Sequence, residues 1–202
     1  FRNRLGVGLT LDYRFKQLQV KNQTTYNITK SKETPYGSFS EYTKALPYNT
    51  YEDEQGKYLK ELENWDEDQK FPNPLYEASL HNFDKAQTEE IINNLAINWN
   101  ITPHLLLKGQ FSLTKRINEN RRFWDPLSQK NTNPISSSNS TSGELHTTDG
   151  NSFGWDMQAT LSYNRTIDNH NINFLAGINQ RATKTESIRA EYRGFPSGVL
   201  SS

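Results

Sequence analysis

No cysteine occurs in the chain. Disulfide scaffolds, thiolate metal centres and cysteine nucleophiles are therefore excluded. No apolar run approaches the roughly 20 residues of a membrane-spanning helix. Neither charge sign is in excess: 23 basic side chains balance 23 acidic ones, so no general electrostatic pull on nucleic acid exists. Apolar residues are scarce, at 33%, and the mean hydropathy is −0.90. Aromatic surface, by contrast, is plentiful. Ten Tyr, ten Phe and four Trp make up 12% of the chain, which argues against a disordered polymer. The length of 202 residues suits one domain with a sizeable core. The sequence shows no initiating Met or signal peptide and runs from Phe1 to Ser202; the expectation is an excerpt from a longer polypeptide.

The strongest pattern runs from Leu5 to Ile28. Leu5, Val7, Leu9, Leu11, Tyr13 and Phe15 occupy odd positions, then Leu18, Val20, Tyr26 and Ile28 occupy even ones. Alternation of this kind marks a β-strand with one apolar face. A two-residue turn at Lys16 and Gln17 reconciles the parity switch, placing Phe15 opposite Leu18 and Leu5 opposite Ile28 on one face of a hairpin. The same logic predicts a second hairpin, with Leu95, Ile97, Trp99 and Ile101 followed by Leu105, Leu107, Phe111 and Leu113. A three-residue turn at Thr102, Pro103 and His104 puts Trp99 opposite Leu107. Asp84 with Gln87 resembles a helix capping box, but the clean alternation from Leu95 favours a strand. A third hairpin has Trp155, Met157, Ala159, Leu161 and Tyr163 odd, then Ile172, Phe174, Ala176 and Ile178 even. A turn at Asn169 and His170 places Tyr163 opposite Ala176 and Leu161 opposite Ile178.

These hairpins are expected at about 5–30, 88–118 and 152–185, with loops at about 31–87, 119–151 and 186–202. In the first loop Tyr58, Leu62 and Trp65 share helical spacing, which suggests a short surface helix. Ser136 to Gly143 is low in complexity. Short turns at one end, long connections at the other, and faces alternately apolar and wet form the pattern of an outer-membrane barrel. Closed sheets suit lipid, because no backbone amide is left without a partner. Tyr13, Phe15, Trp99 and Tyr163 fall near the short turns, where an interfacial aromatic girdle belongs. The fold class expected is all-β: antiparallel hairpins forming part of a transmembrane up-and-down barrel. A secreted all-β glycan-binding module remains the alternative.

Local words carry more than periodicity. Asn73-Pro74-Leu75-Tyr76-Glu77-Ala78 is followed by Asn82-Phe83-Asp84-Lys85, Ile92-Asn93-Asn94-Leu95 and Leu107-Lys108-Gly109-Gln110-Phe111-Ser112. Then come Asp125-Pro126-Leu127-Ser128, Phe153-Gly154-Trp155-Asp156, Leu161-Ser162-Tyr163-Asn164-Arg165 and Tyr192-Arg193-Gly194-Phe195-Pro196. In this order the chain resembles the SusC/RagA-type TonB-dependent outer-membrane transporters, from about Leu5 onward. The resemblance implies an interior segment of a 22-stranded barrel, with the plug domain, energy-coupling box and barrel termini lying outside this sequence. It also implies a Gram-negative outer membrane of the Bacteroidetes type. Import of oligosaccharides or peptides through TonB, a SusD-like surface lipoprotein as partner and contact with outer-membrane lipid are implied as well.

Candidate chemistry is sparse. Gly150-Asn151-Ser152-Phe153-Gly154 matches G-x-S-x-G, but that motif needs a strand before the serine and a helix after it. Here a strand pattern follows, so no enzyme is expected and no catalytic residue is assigned. His81, His104, His146 and His170 lack metal-ligand spacing. The acidic stretch from Glu52 to Asp68 lacks the EF-hand order. Gly6 and Gly8 begin a G-x-G with Leu11 where the third glycine belongs. No cofactor, metal or nucleic acid is therefore expected. Trp65, Tyr76, Trp124 and Tyr192 are loop or loop-edge aromatics, and flat amphipathic rings suit substrate or partner contact at a wet site.

Overall fold

The structure, a computed structural model, describes residues 1–33, 43, 48–62, 71–129 and 142–196. Six long strands dominate: β1 (Arg2–Phe15), β2 (Leu18–Glu33), β5 (Phe83–Thr102), β6 (Leu105–Trp124), β7 (Gly143–Ile167) and β8 (His170–Phe195). They form one antiparallel sheet in sequential order, β1-β2-β5-β6-β7-β8. Between β2 and β5 lie a two-strand ribbon, β3 (Glu61–Leu62) with β4 (Phe71–Pro72), and one short helix, α1 (Pro74–Ser79). No helix among the described residues is long and apolar enough to cross a membrane.

The first hairpin has the register its alternation predicts. Leu5 pairs with Ile28, Val7 with Tyr26 and Phe15 with Leu18. Lys16 takes φ 49° in the two-residue turn. In the second hairpin Trp99 pairs with Leu107 and Leu95 with Phe111 as expected, but the turn residues are Pro103 and His104, with an irregularity beside Ile101. The third hairpin differs. Its turn is Asp168-Asn169, not Asn169-His170, so Tyr163 pairs with Phe174 and Leu161 with Ala176. Asp168 takes φ 50°, a conformation Asp and Asn tolerate well. The shift is two residues, and a two-residue slip preserves every face.

All six strands run farther from their turns than alternation indicates. Residues 31–33, 83–87, 119–124, 143–151 and 186–195, expected in loops, belong to strands. Polar residues occupy both faces over much of these ranges, as in Glu119-Asn120-Arg121-Arg122, and apolar residues such as Phe83, Phe123 and Leu145 are too sparse there to mark alternation. β7 has 25 residues and β8 has 26, more than twice the roughly 9–11 that a tilted strand needs to cross hydrocarbon. Over the described part of the stretch in which Tyr58, Leu62 and Trp65 suggested a helix, residues 58–62 are not helical. Tyr58 bridges Glu52 across a turn at Gly56, and Leu62 lies in β3. Trp65 lies outside the described residues.

The wet face bears hollows lined by Arg4, Asn27, Thr88 and Arg116, and by Ser112, Asp156 and Arg181. The apolar face points outward. Leu5, Val7, Leu9 and Leu11 are each about 60% exposed on it. Midway along this face sits a polar island, and Lys115 faces the same way between Ile91 and Phe153. Asn22 and Asn93 exchange side-chain hydrogen bonds at 3.2 and 3.1 Å, and Asn93 Nδ2 donates to Thr24 Oγ1 at 2.7 Å. The buried apolar side chains among the described residues are Leu62, Tyr76 and Phe123. All three lie at the end away from the hairpin turns, so the core sits under the loops and not in the wall.

Candidate functional site

The wet face is a ladder of directly opposed polar pairs. Glu90 faces Arg116, Asp84 faces Arg122, and Asp156 faces Arg181. Arg116 Nε donates to Glu90 at 3.0 Å, Arg122 Nε to Asp84 at 2.7 Å and Arg181 Nε to Asp156 at 2.9 Å. Ser112 donates to Asn94 at 2.7 Å and Thr88 to Asn118 at 3.0 Å. Exposed pairs of this kind contribute about 0–1 kcal/mol each. Their consequence is chemical: a hydrated wall of donors and acceptors suited to polar solutes.

At the turn-distal end this wall meets a folded loop base. Asn73 caps α1, accepting from the Leu75 amide at 3.0 Å, while its Nδ2 donates to the carbonyls of Tyr51 and Leu59 at 3.0 and 2.7 Å. Pro74 follows at the first helical position, where its missing N–H costs nothing. Glu77 has no exposed surface. Its carboxylate accepts from Asn82 Nδ2, Ser128 Oγ and the Gln129 amide at 2.8, 2.7 and 2.7 Å. Asn82 Oδ1 accepts from the Asp125 amide at 2.7 Å, and Asp125 accepts from the Leu127 amide at 2.9 Å. A buried carboxylate is tolerable only with such donors around it. Phe123, with no exposed surface, stacks on Phe83 and meets Phe195 edge-on, both at 5.7 Å between centroids. Gly194 at φ 98° makes the kink that delivers Phe195. The words Asn-Pro-Leu-Tyr-Glu, Asn-Phe, Asp-Pro-Leu-Ser and Arg-Gly-Phe, scattered over more than a hundred positions, therefore meet in one place.

The four aromatics singled out by sequence part company. Trp124 is half-buried on the wet face, opposite Glu144, with the Arg122 guanidinium 5.9 Å from its ring. Tyr192 is 53% exposed but shares the outward face with Leu145. Tyr76 is buried in the loop base, where burial first, and then the charges of Glu77 and Asp125, raise its phenol above the usual range. Trp65 lies outside the described residues. Sequence reasoning missed the polar residues of the loop base, although Asn-Pro before a helix and Asp-Pro-Leu-Ser are both capping or turn signals.

Ser152 lies mid-strand in β7, with its hydroxyl 3.0 Å from that of Thr185. It is not at the strand-to-helix turn that a nucleophile elbow requires. Among the described residues one group could hold a metal, Glu144, His146 and Glu191, whose ligand atoms lie within 4.8 Å of one another. Arg193 bonds both carboxylates, at 3.2 Å to Glu144 and 2.7 Å to Glu191, and so supplies the positive charge they would otherwise take from an ion.

No family model and no curated protein matches the sequence. Solved structures do match. The RagAB peptide importer in its closed-closed state aligns with a TM-score of 0.69 at 17% identity, over 97% of this chain and 22% of that one. In its open-open state the TM-score is 0.72 at 17% identity, over 98% and 22%. The chain has the fold of one part of that importer. The expected SusC/RagA-type architecture is thereby met at the level of the fold. The chain spans 22% of the length of the RagAB chains it matches.

Proposed function

We propose that this chain forms a section of the wall and extracellular rim of an outer-membrane importer, with the wet face lining the conduit. The observation that carries this is the two-ended, two-faced sheet: tight turns at one end, a folded loop base at the other, an outward apolar face and an inward polar one. Such a sheet has long unpaired edges at β1 and β8, which suit further strands of a barrel and ill suit a protein alone in water. The likeness to RagAB supports the same reading. TonB coupling would act through parts of the transporter outside this chain, and a SusD-like surface lipoprotein would rest on the loop base.

Peptides fit the wall better than neutral oligosaccharides. Arg2 and Arg4, which make no ion pair among the described residues, line a hollow of about 330 Å3 with Arg116 and Glu90. Free guanidinium groups bind carboxylates in a forked geometry that a neutral sugar cannot use. Trp124, higher on the same face, offers a ring at the mouth. No reacting group is required of any of these residues.

The test is uptake of labelled acidic peptides and of a labelled oligosaccharide by cells carrying the full-length protein. Peptide uptake that falls with Arg2→Gln/Arg4→Gln supports the reading. A full-length protein found in the soluble fraction would refute it, and oligosaccharide uptake without peptide uptake would refute the substrate assignment.

A further inference from the structure

β2, β5 and β6 treat their two faces differently. On the wet face each arginine of the upper strands has a carboxylate opposite it, as Arg122 has Asp84. On the outward face Lys32 stands opposite Lys85, and Lys85 stands opposite Arg121. Facing residues on neighbouring strands lie about 5 Å apart, and like charges so placed destabilise a sheet. Yet none of the three, nor Lys30 two residues below Lys32, makes an ion pair among the described residues. All four are exposed. The one cationic contact is Lys85 Nζ over the Phe83 ring at 4.9 Å. Together the four cations line a shallow groove of about 370 Å3, in which Glu119 is the only acid.

The position of this row matters as much as its charge. Lys30 follows Ile28, the last apolar outward residue of β2, so the row begins where the apolar band ends. It lies on the loop side of that band, the side of the outer leaflet in the orientation proposed above. We infer that Lys30, Lys32, Lys85 and Arg121 form a docking site for the phosphate of a lipid-A-type glycolipid in the outer leaflet. A phosphate between the facing cations would relieve their repulsion, while its acyl chains would lie on the apolar face directly below. This inference rests on the outer-membrane reading.

The test uses the full-length transporter in phosphatidylcholine nanodiscs with and without monophosphoryl lipid A, reading retained lipid by native mass spectrometry. Wild type is expected to retain the phosphorylated glycolipid in preference to phosphatidylcholine. The triple variant Lys32→Gln/Lys85→Gln/Arg121→Gln should bind it about fivefold more weakly per charge removed, from the roughly 1 kcal/mol that a basic residue contributes near an anionic surface. Lys32→Arg/Lys85→Arg, which keeps the charge, should retain it. Equal retention of both lipids by wild type overturns the inference and needs no variant to fold. A triple variant that holds the glycolipid unchanged, or loses a co-purifying protein instead, also overturns it. Failure of the full-length protein to enter nanodiscs at all would refute the outer-membrane reading instead.

Discussion

Leu9 and Phe123 are both large apolar side chains on the same face parity of one sheet, yet Leu9 is 61% exposed and Phe123 has no exposed surface. Leu9 belongs to the wall, on the edge strand β1, where its side chain faces outward and is left largely uncovered. Phe123 belongs to the loop base, where Phe83 and Phe195 enclose it and buried polar groups satisfy one another. The wall has a polar face and an exposed apolar face, the arrangement that the proposed outer-membrane reading would set against lipid. The loop base is a small water-type core, with apolar rings inside and a buried carboxylate held by three donors. One continuous backbone ladder joins the two regimes, and each half should therefore fail in its own way.

The largest effect is expected for Glu77→Ala, which strands the donors of Asn82, Ser128 and Gln129. The cost should be about 3–5 kcal/mol, read as protease cleavage within residues 71–129 of an otherwise assembled barrel. Loss of assembly instead would show that the two regions are not separable. Next come Leu9→Arg and Leu161→Arg, which place a charge against lipid at about 2–4 kcal/mol each. Thr10→Arg and Thr160→Arg face the lumen and should assemble normally. The heat-modifiable band of the full-length protein on a gel distinguishes them, and equal behaviour of the two pairs would reverse the face assignment.

A smaller effect is expected at the junction. A Cβ on Gly143 would lie 3.1 Å from both the Trp124 carbonyl oxygen and Pro126 Cδ, and 3.2 Å from the Phe123 ring. Gly143→Ala should cost about 1–3 kcal/mol and loosen the loop base, measured as faster amide exchange there than in the wall. The smallest is a pH effect. Burial raises the Tyr76 phenol above its ordinary 10.0, so its neutral form is favoured in the folded state. That contribution is complete below about pH 10 and is lost as pH rises through the folded value. Tyr76→Phe should flatten the alkaline rise in loop-base proteolysis and leave wall proteolysis unchanged.

The wall was legible because its physics is periodic. Alternation from Leu5 to Ile28 determined face, turn and register together, since Lys16 and Gln17 leave one closure that matches every apolar residue. In the third hairpin the same alternation determined the faces but not the register, because Asp168-Asn169 and Asn169-His170 satisfy parity equally. The upper strands were invisible for the opposite reason. Where Thr185, Glu186, Ser187 and Arg189 put polar groups on both faces around Ile188, no sustained pattern distinguishes a strand from a loop. The loop base was half legible. Its residues stood out as words, yet nothing in one dimension says that Glu77 reaches Ser128 or that Phe83 reaches Phe195. Aromaticity alone could not separate Trp124 on the wet face from Tyr76 in the core.

The polar island of Asn22, Thr24 and Asn93 has a kinetic consequence. Asn22 and Asn93 are 71 positions apart in the chain, on strands joined by the whole first loop region. Until β2 and β5 zip together, these amides have no mutual partner, and hydrocarbon offers none. If the wall lies in an outer membrane as proposed, β2 is held back from lipid until β5 arrives, so the two strands seat themselves in the bilayer together.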